Sequence, residues 1–411
     1  MGLPWPACAS SIWDGPDMPM IDSPSPWLAV ITVLACLAFV QLSRLPALAA
    51  TGSGRLASID GLRGLLAIAV FFHHFSITHH YKLTGQWVGP RSPIYNIFGT
   101  AGVTTFFMIT GFLFFGKIKA VRGALDLDRF FIGRVFRIVP VYAVSVALVY
   151  LSTLVVTGAH LDPPLAASLD SWIFFTAAPI NGYPFSPLIN AGVVWTLAYE
   201  WVFYFSIPAI AFLWLKLNLR PWVLALGAML ALYFERNGQV VPYFGLSAGL
   251  FAPFLLGGLA SEVVRLAMVR RLARSAWGAG LSLAAAATLF AAFETAYSVS
   301  ANVVLFAFFV PVAAGNSIFG LLRLRAVVFL GEVSYDVYML HGIVLFVLFT
   351  LLMPDAMQGA HSQGRLLSLM LIAAAGVVAL SVVIHLAVER PLLRLGRRIV
   401  PIDGVQTLAA P

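Results

Sequence analysis

Long apolar runs recur along the whole chain, separated by short polar segments. Eleven runs can be delimited, at residues 27–42, 64–80, 96–116, 137–157, 193–215, 221–234, 245–264, 276–293, 300–321, 333–353 and 366–388. Several approach the ~20 residues that an α-helix needs to cross a bilayer. The pattern predicts an all-α, polytopic integral membrane bundle with about ten core spans and an extra N-terminal span.

Composition supports this prediction. Apolar residues make up 60% of the 411 residues and charged residues only 10%, whereas about 25% of a soluble domain is charged. So much apolar surface cannot be buried inside one globule, so lipid must solvate most of it. The net charge of +8 does not indicate nucleic acid, because basic residues of membrane proteins collect on the cytoplasmic side. Cys8 and Cys36 give neither a disulfide framework nor a metal-binding spacing, and no metal is expected.

The distribution of basic residues predicts an orientation. If all eleven runs span from an outside N-terminus, 21 of the 25 Lys and Arg lie on the inner side. The four outside are Lys82, Arg91, Arg236 and Arg365. This asymmetry favours a multi-pass protein of the cell (inner) membrane with a cytoplasmic C-terminus. If residues 27–42 are cleaved or do not span, ten spans remain and the later orientation stands.

Four segments are predicted. Residues 1–26, rich in Pro, Asp and Ser, form a disordered tail, and residues 27–57 an extra apolar segment with its linker. Residues 58–398 form the membrane domain, and residues 399–411 a C-terminal tail. Within the domain, prolines interrupt the long connection 158–192, which is either re-entrant or on the surface.

Ionisable residues inside apolar runs are functional candidates, because placing them in a membrane is costly. Arg63 and His74 are eleven residues apart, so on a helix they share a face to within about 20°, with His74 roughly 16 Å deeper. His73 points about 100° away. The alternative for an intramembrane histidine is a structural hydrogen bond between helices.

Four other sequence patterns each allow a functional and a structural interpretation. Small residues from Gly99 to Phe112 favour close helix packing, although Thr110 could line a polar path. Arg129, Arg134 and Arg137 abut a span, which is typical of topology signals or lipid contacts and also of phosphate binding. Glu200 lies inside a run and needs a histidine or arginine partner. Tyr338 and His341 share a helix face and could serve a site or a helix–helix contact.

These segments, taken in order, resemble the acyltransferase-3 family of membrane O-acyltransferases, over about residues 58–398. The matching elements are Asp60–His74, Gly102–Phe112, Arg134–Tyr142, Trp195–Tyr204, Ser334–His341 and Glu389–Pro391. Trp201 stands where relatives often carry a second acid, and residues 27–42 are additional to the family's ten spans. The length leaves no room for the esterase-like (SGNH) domain fused to some relatives.

The resemblance implies transfer of an acyl group, commonly acetyl from acetyl-CoA or another acyl-CoA, to a hydroxyl. Sugars of surface or exported polysaccharides are frequent acceptors, and antibiotics or other small molecules, such as macrolides, are an alternative. The expected partners are therefore acyl-CoA, a carbohydrate and membrane lipid, with no nucleic acid.

The resemblance also suggests residue roles. His74 would act as general base or carry the acyl group, Arg63 would hold the donor or the oxyanion, and Glu200 would orient a histidine or bind sugar. Arg134, Arg137 and Arg129 would bind the phosphates of CoA. Supporting positions would be Asp60, Thr110, Tyr338 and His341.

Two rival classes have buried polar residues in common with an acyltransferase. A transporter or flippase would show two related halves, and no internal repeat is found in the sequence. A non-catalytic scaffold would have no need of Arg63, His74 and Glu200.

Overall fold

The computed structural model describes most of the membrane-embedded chain. The described residues are 24–43, 45, 56–120, 126–158, 165–217, 219–236, 240–241, 246–357 and 362–399. The predicted tails lie almost entirely outside these ranges, as do Cys8, Arg44, Arg55 and Arg122.

Helices form nearly all of the described structure. Their bounds are α1 Pro26–Leu42, α2 Ala57–Thr84, α3 Pro93–Ala120, α4 Leu127–Thr157, α5 Leu165–Ile173, α6 Trp195–Lys216, α7 Trp222–Arg236, α8 Ala252–Val263, α9 Ala267–Arg274, α10 Ala276–Ala292, α11 Val299–Ala313, α12 Arg325–Glu332, α13 Ser334–Phe346, α14 Gln363–Ile384 and α15 Arg390–Ile399. Short 3₁₀ segments precede α8 and α12, and π-helical turns at Val347–Leu352 and His385–Glu389 follow α13 and α14. One two-stranded hairpin pairs β1 (Val240–Val241) with β2 (Leu246–Ser247).

The fold class predicted from the apolar runs is confirmed. Among the described residues, six helical stretches are long and apolar enough to cross a membrane, and α8 with α9 forms a further pair bent by 102°. The helices α1, α7, α10 and α11 are apolar but shorter. Every predicted run overlaps one of these helices, although the run 300–321 extends past the end of α11 and the run 245–264 begins before α8. Large apolar side chains such as Phe39, Phe205 and Met229 are exposed on outer faces, as expected where lipid replaces water.

Glycines allow α3 to approach α8 closely. A Cβ at Gly111 would lie 2.0 Å from the carbonyl oxygen of Phe254, and one at Gly257 would lie 2.0 Å from that of Met108. The hydroxyl of Thr110 donates to the Phe106 carbonyl of its own helix at 3.0 Å. The small residues between Gly99 and Phe112 therefore serve close helix packing, which is the first of the two interpretations above.

The additional N-terminal helix packs against the bundle. Leu28 and Val40 of α1 are buried in one cluster with residues of α12 and α14. The amide of Ser25 donates to Gln363 at 2.9 Å, and the side chain of Gln41 accepts from the Ala326 amide at 3.3 Å. Helix α1 is thus anchored at both ends.

The connection between α4 and α6 folds back onto α4. Trp172 of α5 is buried, and its indole donates to the Ala178 carbonyl at 3.0 Å. Tyr142 of α4 donates its hydroxyl hydrogen bond to the Trp172 carbonyl. Downstream, an isolated bridge joins Ile180 to Tyr183. This connection places Asn190 and Ala191 against Gly342 of α13.

Candidate active site

Two histidines from distant parts of the chain meet inside the bundle. Nδ1 of His74, on α2, lies 3.0 Å from Nε2 of His341, on α13, and their ring centroids are 4.8 Å apart. Nδ1 of His341 lies 3.1 Å from the Val337 carbonyl, and Nδ1 of His74 lies 3.1 Å from the Val70 carbonyl. His341 is fully buried, whereas His74 is half-buried.

These contacts define the proton positions of a neutral pair. A carbonyl oxygen only accepts, so Nδ1 of His341 carries the hydrogen donated to Val337. Nε2 of neutral His341 is then an acceptor, and Nδ1 of His74 must be the donor. Nε2 of His74 is left with its lone pair, and it has no hydrogen-bond partner in the described part of the chain. The pair thus presents one basic nitrogen.

His73 has different surroundings from its neighbour. Its Nδ1 lies 2.9 Å from the Tyr95 carbonyl of α3. A Cβ at Gly99 would lie 2.4 Å from the His73 ring, so this imidazole fills the contact between α2 and α3.

Tyr338 links α13 to α6 one turn before His341. Thr196 donates to the Val193 carbonyl at 3.0 Å, so the Tyr338 hydroxyl, 3.0 Å from the Thr196 hydroxyl, is the donor between the two. The Tyr338 ring centroid lies 6.1 Å from that of His341. Tyr338 therefore fixes the helix that carries His341.

Glu200 lies in a group of arginines from two helices. It interacts electrostatically with Arg134, Arg63 and Arg137, and its Oε2 accepts a hydrogen bond from the Tyr204 hydroxyl at 2.7 Å. The sequence predicts a histidine or an arginine as the partner of Glu200. It does not predict the hydrogen bond to Tyr204, which lies in the same motif.

Three basic residues form a patch where α3 ends and α4 begins, named here the basic patch: Lys117, Arg129 and Arg134. The guanidinium of Arg134 lies 5.1 Å from the Phe114 ring centroid, and the ammonium of Lys117 lies 5.3 Å from the same ring. Arg129 is exposed, and its backbone amide donates to the N-cap residue Asp126 at 3.0 Å. In the sequence, Lys117 is one of the 21 basic residues that the topology prediction places on the inner side.

Arg137 is not part of the basic patch. It forms an ion pair with Glu389, whose side chain is fully buried, and its guanidinium lies 5.9 Å from the Tyr335 ring centroid. The structure thus ties Arg137 to the π-helical turn between α14 and α15.

An acidic cluster surrounds this ion pair. Nδ1 of His385 lies 2.6 Å from Glu389 and 3.5 Å from Asp336, and its Nε2 lies 3.8 Å from Glu332. All four residues are buried. In the sequence, Glu332 and Asp336, like His385 and Glu389, are four residues apart, a spacing that would place each pair on one face of a continuous helix. In the structure, Glu332 ends α12 and Asp336 lies in the first turn of α13.

The arginines and the histidine pair lie at different depths. Arg63 and His74 are both on the uninterrupted helix α2, so eleven residues separate them by about 16 Å along its axis. Arg63 interacts electrostatically with Asp60 as well as with Glu200 and Glu389. The Asp60 carbonyl abuts Gly331, where a Cβ would lie 1.8 Å away. Arg63 therefore belongs with the arginine group.

An aromatic mouth lies one turn beyond the histidine pair, at the opposite end from Arg63. It is a cavity of about 70 Å³ whose aromatic lining is Tyr81, Trp87, Tyr183, Phe185 and Phe346. Thr78 and Gly342 also line it. Thr78 is one turn after His74, and Gly342 directly follows His341, so residues close to the pair in the chain line the mouth.

The structure is a helical membrane bundle in which a histidine pair lies between a basic end and an aromatic end. The family model described as an acyltransferase domain matches residues 56–387. The chain therefore belongs to the acyltransferase-3 family.

A curated relative also matches part of the chain. Nodulation protein 10 from Rhizobium leguminosarum bv. viciae is 29% identical over an alignment of 234 positions, which covers 51% of this chain and 60% of the relative. The chain thus matches about 60% of that relative's length. No solved structure matches the chain.

Proposed function

We propose that this protein is a membrane O-acyltransferase that moves an acetyl group from acetyl-CoA to a hydroxyl of a carbohydrate. Membership of the acyltransferase-3 family supports the reaction class. The observation that carries the proposal is the 3.0 Å contact between His74 and His341, because it leaves Nε2 of His74 as a base inside an apolar bundle.

In this mechanism, Nε2 of His74 takes the proton of the acceptor hydroxyl as its oxygen attacks the thioester carbonyl. The bond between carbonyl carbon and sulfur breaks, and the proton passes from His74 to the leaving thiolate. His341 accepts a hydrogen bond from Nδ1 of His74 throughout, which stabilises the imidazolium that forms. The surrounding bundle excludes water that would hydrolyse the thioester.

A second route uses the same nitrogen. Nε2 of His74 attacks the thioester carbonyl and the thiolate leaves; the acyl group then passes from His74 to the hydroxyl oxygen, and the hydroxyl proton goes to the thiolate. An acetyl group trapped on His74 in the absence of acceptor would distinguish this route from general-base catalysis.

The donor is proposed to enter from the end that carries the arginines, which the charge distribution assigns to the cytoplasm. Arg129, Arg134 and Lys117 would bind the CoA phosphates, and Glu200 would orient Arg63 and Arg134. The rise of about 16 Å from Arg63 to His74 suits a donor with phosphates at one end and a thioester on a long arm. The same distance argues against Arg63 as a ligand of the oxyanion that would form beside His74. Arg137, held by Glu389, would contribute its positive field.

The acceptor is proposed to enter through the aromatic mouth. Amphipathic aromatic rings such as Trp87 and Tyr183 offer flat apolar faces and hydrogen-bonding groups, which suit a sugar. The relative named for nodulation is compatible with a carbohydrate acceptor but identifies none.

The direct test is transfer by the purified full chain in detergent. The protein is incubated with labelled acetyl-CoA and a panel of oligosaccharides, and products are identified by mass spectrometry. We expect acceptor-dependent thiol release and O-acetylated product. If no hydroxyl compound is acetylated and the reconstituted protein instead transports an unmodified solute in both directions, the result would support a transporter.

A further inference from the structure

A second cavity, of about 570 Å³, lies at the end of the bundle where α2 begins. It lies between the junction of α9 with α10 and the loop that follows α11. The residues that matter for its chemistry are Arg274, Ser275, Ala276, Ser317, Phe319 and Arg323. Its volume is within the range of about 300–1,000 Å³ typical of small-ligand sites.

The cavity is positively charged. Arg274 donates from Nε to the Ala314 carbonyl at 2.6 Å, and Arg323 donates from Nη2 to the Gly315 carbonyl at 3.4 Å. Each guanidinium has five N–H groups, so both retain donors that are not used in these bonds. Among the residues that the structure describes, no acidic side chain lines the cavity. Two oriented guanidinium groups without a carboxylate favour a phosphate ligand.

The walls of the cavity are held in place by a buried amide. Asn316 donates to the Ala273 and Ser275 carbonyls at 2.8 and 2.9 Å, and its side-chain oxygen accepts from the Ile318 amide at 2.8 Å. Ile318 and Phe319 both have positive φ, 48° and 54°, which is costly for residues with a side chain. The loop is therefore a built wall of the cavity.

The start of α10 adds to the positive potential. Its N-cap residue Ser275 makes no side-chain capping bond, because the hydroxyl donates to the Leu272 carbonyl at 2.6 Å instead. The first N–H groups of α10 thus lack a side-chain acceptor, and Ala276 lines the cavity.

The rim of the cavity has the composition of a membrane interface. Phe319, which lines the cavity, is 73% exposed, and Trp277, which follows the lining residue Ala276 in the chain, is 84% exposed. The neighbouring helix α9 is strongly amphipathic and is bent by 102° from α8, as in helices that lie in the plane of the headgroups. A phosphate bound here would have apolar chains beside it, which a phospholipid supplies and a soluble nucleotide does not.

We propose that the cavity between Arg274 and Arg323 binds the headgroup phosphate of an anionic phospholipid. The site is distinct from the histidine pair, since Leu56, which also lines it, is eighteen residues before His74, about 27 Å along the helix axis. It would fix the depth and orientation of α9 and α10 in the bilayer.

The test is native mass spectrometry of the full chain in detergent, titrated with phosphatidylglycerol or phosphatidylcholine. The double variant Arg274→Gln/Arg323→Gln should retain phosphatidylglycerol at least about tenfold less well than the wild type. Ala276→Glu should do the same without removing either arginine, because a carboxylate at the first helical position favours the helix while occupying the anion site.

The control variant changes two exposed arginines near the cavity. Arg265→Gln/Arg271→Gln removes two exposed charges that do not line the cavity, and it should retain phosphatidylglycerol normally. Equal retention of both lipids by the wild type, or unchanged retention in both cavity variants, would overturn the proposal. So would a raised KM for acetyl-CoA with unchanged lipid retention, which would assign the phosphate to the donor. The lipid readout does not depend on acyl transfer, so failure of either proposal leaves the other testable.

Discussion

His341 holds its Nε2 atom 3.0 Å from Nδ1 of His74, and the hydrogen bond of its other nitrogen to Val337 fixes which of the two rings is the donor. The reactive nitrogen of His74 is thereby defined by a residue 267 positions away. In the proposed mechanism, His341 therefore positions His74 and does not contact the acceptor itself.

His341→Ala should lower kcat by about tenfold to a hundredfold and leave the KM for acetyl-CoA nearly unchanged, because the donor phosphates bind at the other end. His341→Gln should recover part of the loss, since its amide oxygen can accept from His74. Steady-state kinetics of purified variants measure both constants. A raised KM with normal kcat would assign His341 to donor binding instead.

Tyr204→Phe should weaken donor binding. Removing the hydroxyl leaves the Glu200 carboxylate without its 2.7 Å hydrogen bond, and in the proposed mechanism that carboxylate orients Arg134 and Arg63. The expected rise in the KM for acetyl-CoA is about tenfold.

The matched control for this substitution is Tyr233→Phe, which removes an exposed hydroxyl on α7. The two variants are compared by isothermal titration with CoA. Equal affinity in both would show that Glu200 does not act through the arginines.

Glu389→Gln should destabilise the protein strongly. It removes the fully buried partner of half-buried Arg137, and breaking a buried ion pair from one side costs up to about 3–5 kcal/mol. Asp336→Asn should be milder, because Asp336 has no hydrogen bond to an arginine and lies 3.5 Å from His385. Thermal unfolding in detergent, followed by fluorescence, should give the lower Tm for Glu389→Gln. The reverse order would mean that Asp336, and not Glu389, neutralises the cluster.

Gly111→Ala should separate α3 from α8. The new Cβ would lie 2.0 Å from the Phe254 carbonyl, so the helices must move apart, at a cost of about 1–3 kcal/mol. Gly116→Ala on the same helix has no atom within 4 Å of the new Cβ and should leave the Tm unchanged or slightly raised. Identical Tm values for the two variants would contradict the close approach.

Local periodicity predicted what lies within single helices. The apolar runs located the membrane helices, and the spacing of Arg63 and His74 placed them on one face because helix geometry is fixed by the chain itself. The sequence could not show whether the small residues of Gly99–Phe112 pack against another helix or line a polar path. The answer depends on which helix lies opposite, and the position of α8 is known only from the structure.

Contacts between distant helices could not be predicted in the same way. The His74–His341 hydrogen bond and the Arg137–Glu389 ion pair join residues 267 and 252 positions apart. Periodicity carries no information on which faces meet, so the sequence identified these residues as candidates without pairing them. The basic patch was missed in part because Lys117 reads equally well as a topology signal.

Acetyl transfer by His74→Ala at saturating acetyl-CoA tests whether Nε2 of His74 is the reacting base. His80→Gln, a substitution on the same helix outside the site, is the control, and size-exclusion profiles establish that both variants are folded. We expect His74→Ala to lose about 10²–10⁴-fold in kcat while its affinity for CoA is retained. We expect normal turnover for His80→Gln. Wild-type turnover in folded His74→Ala would contradict the role of His74 as the base.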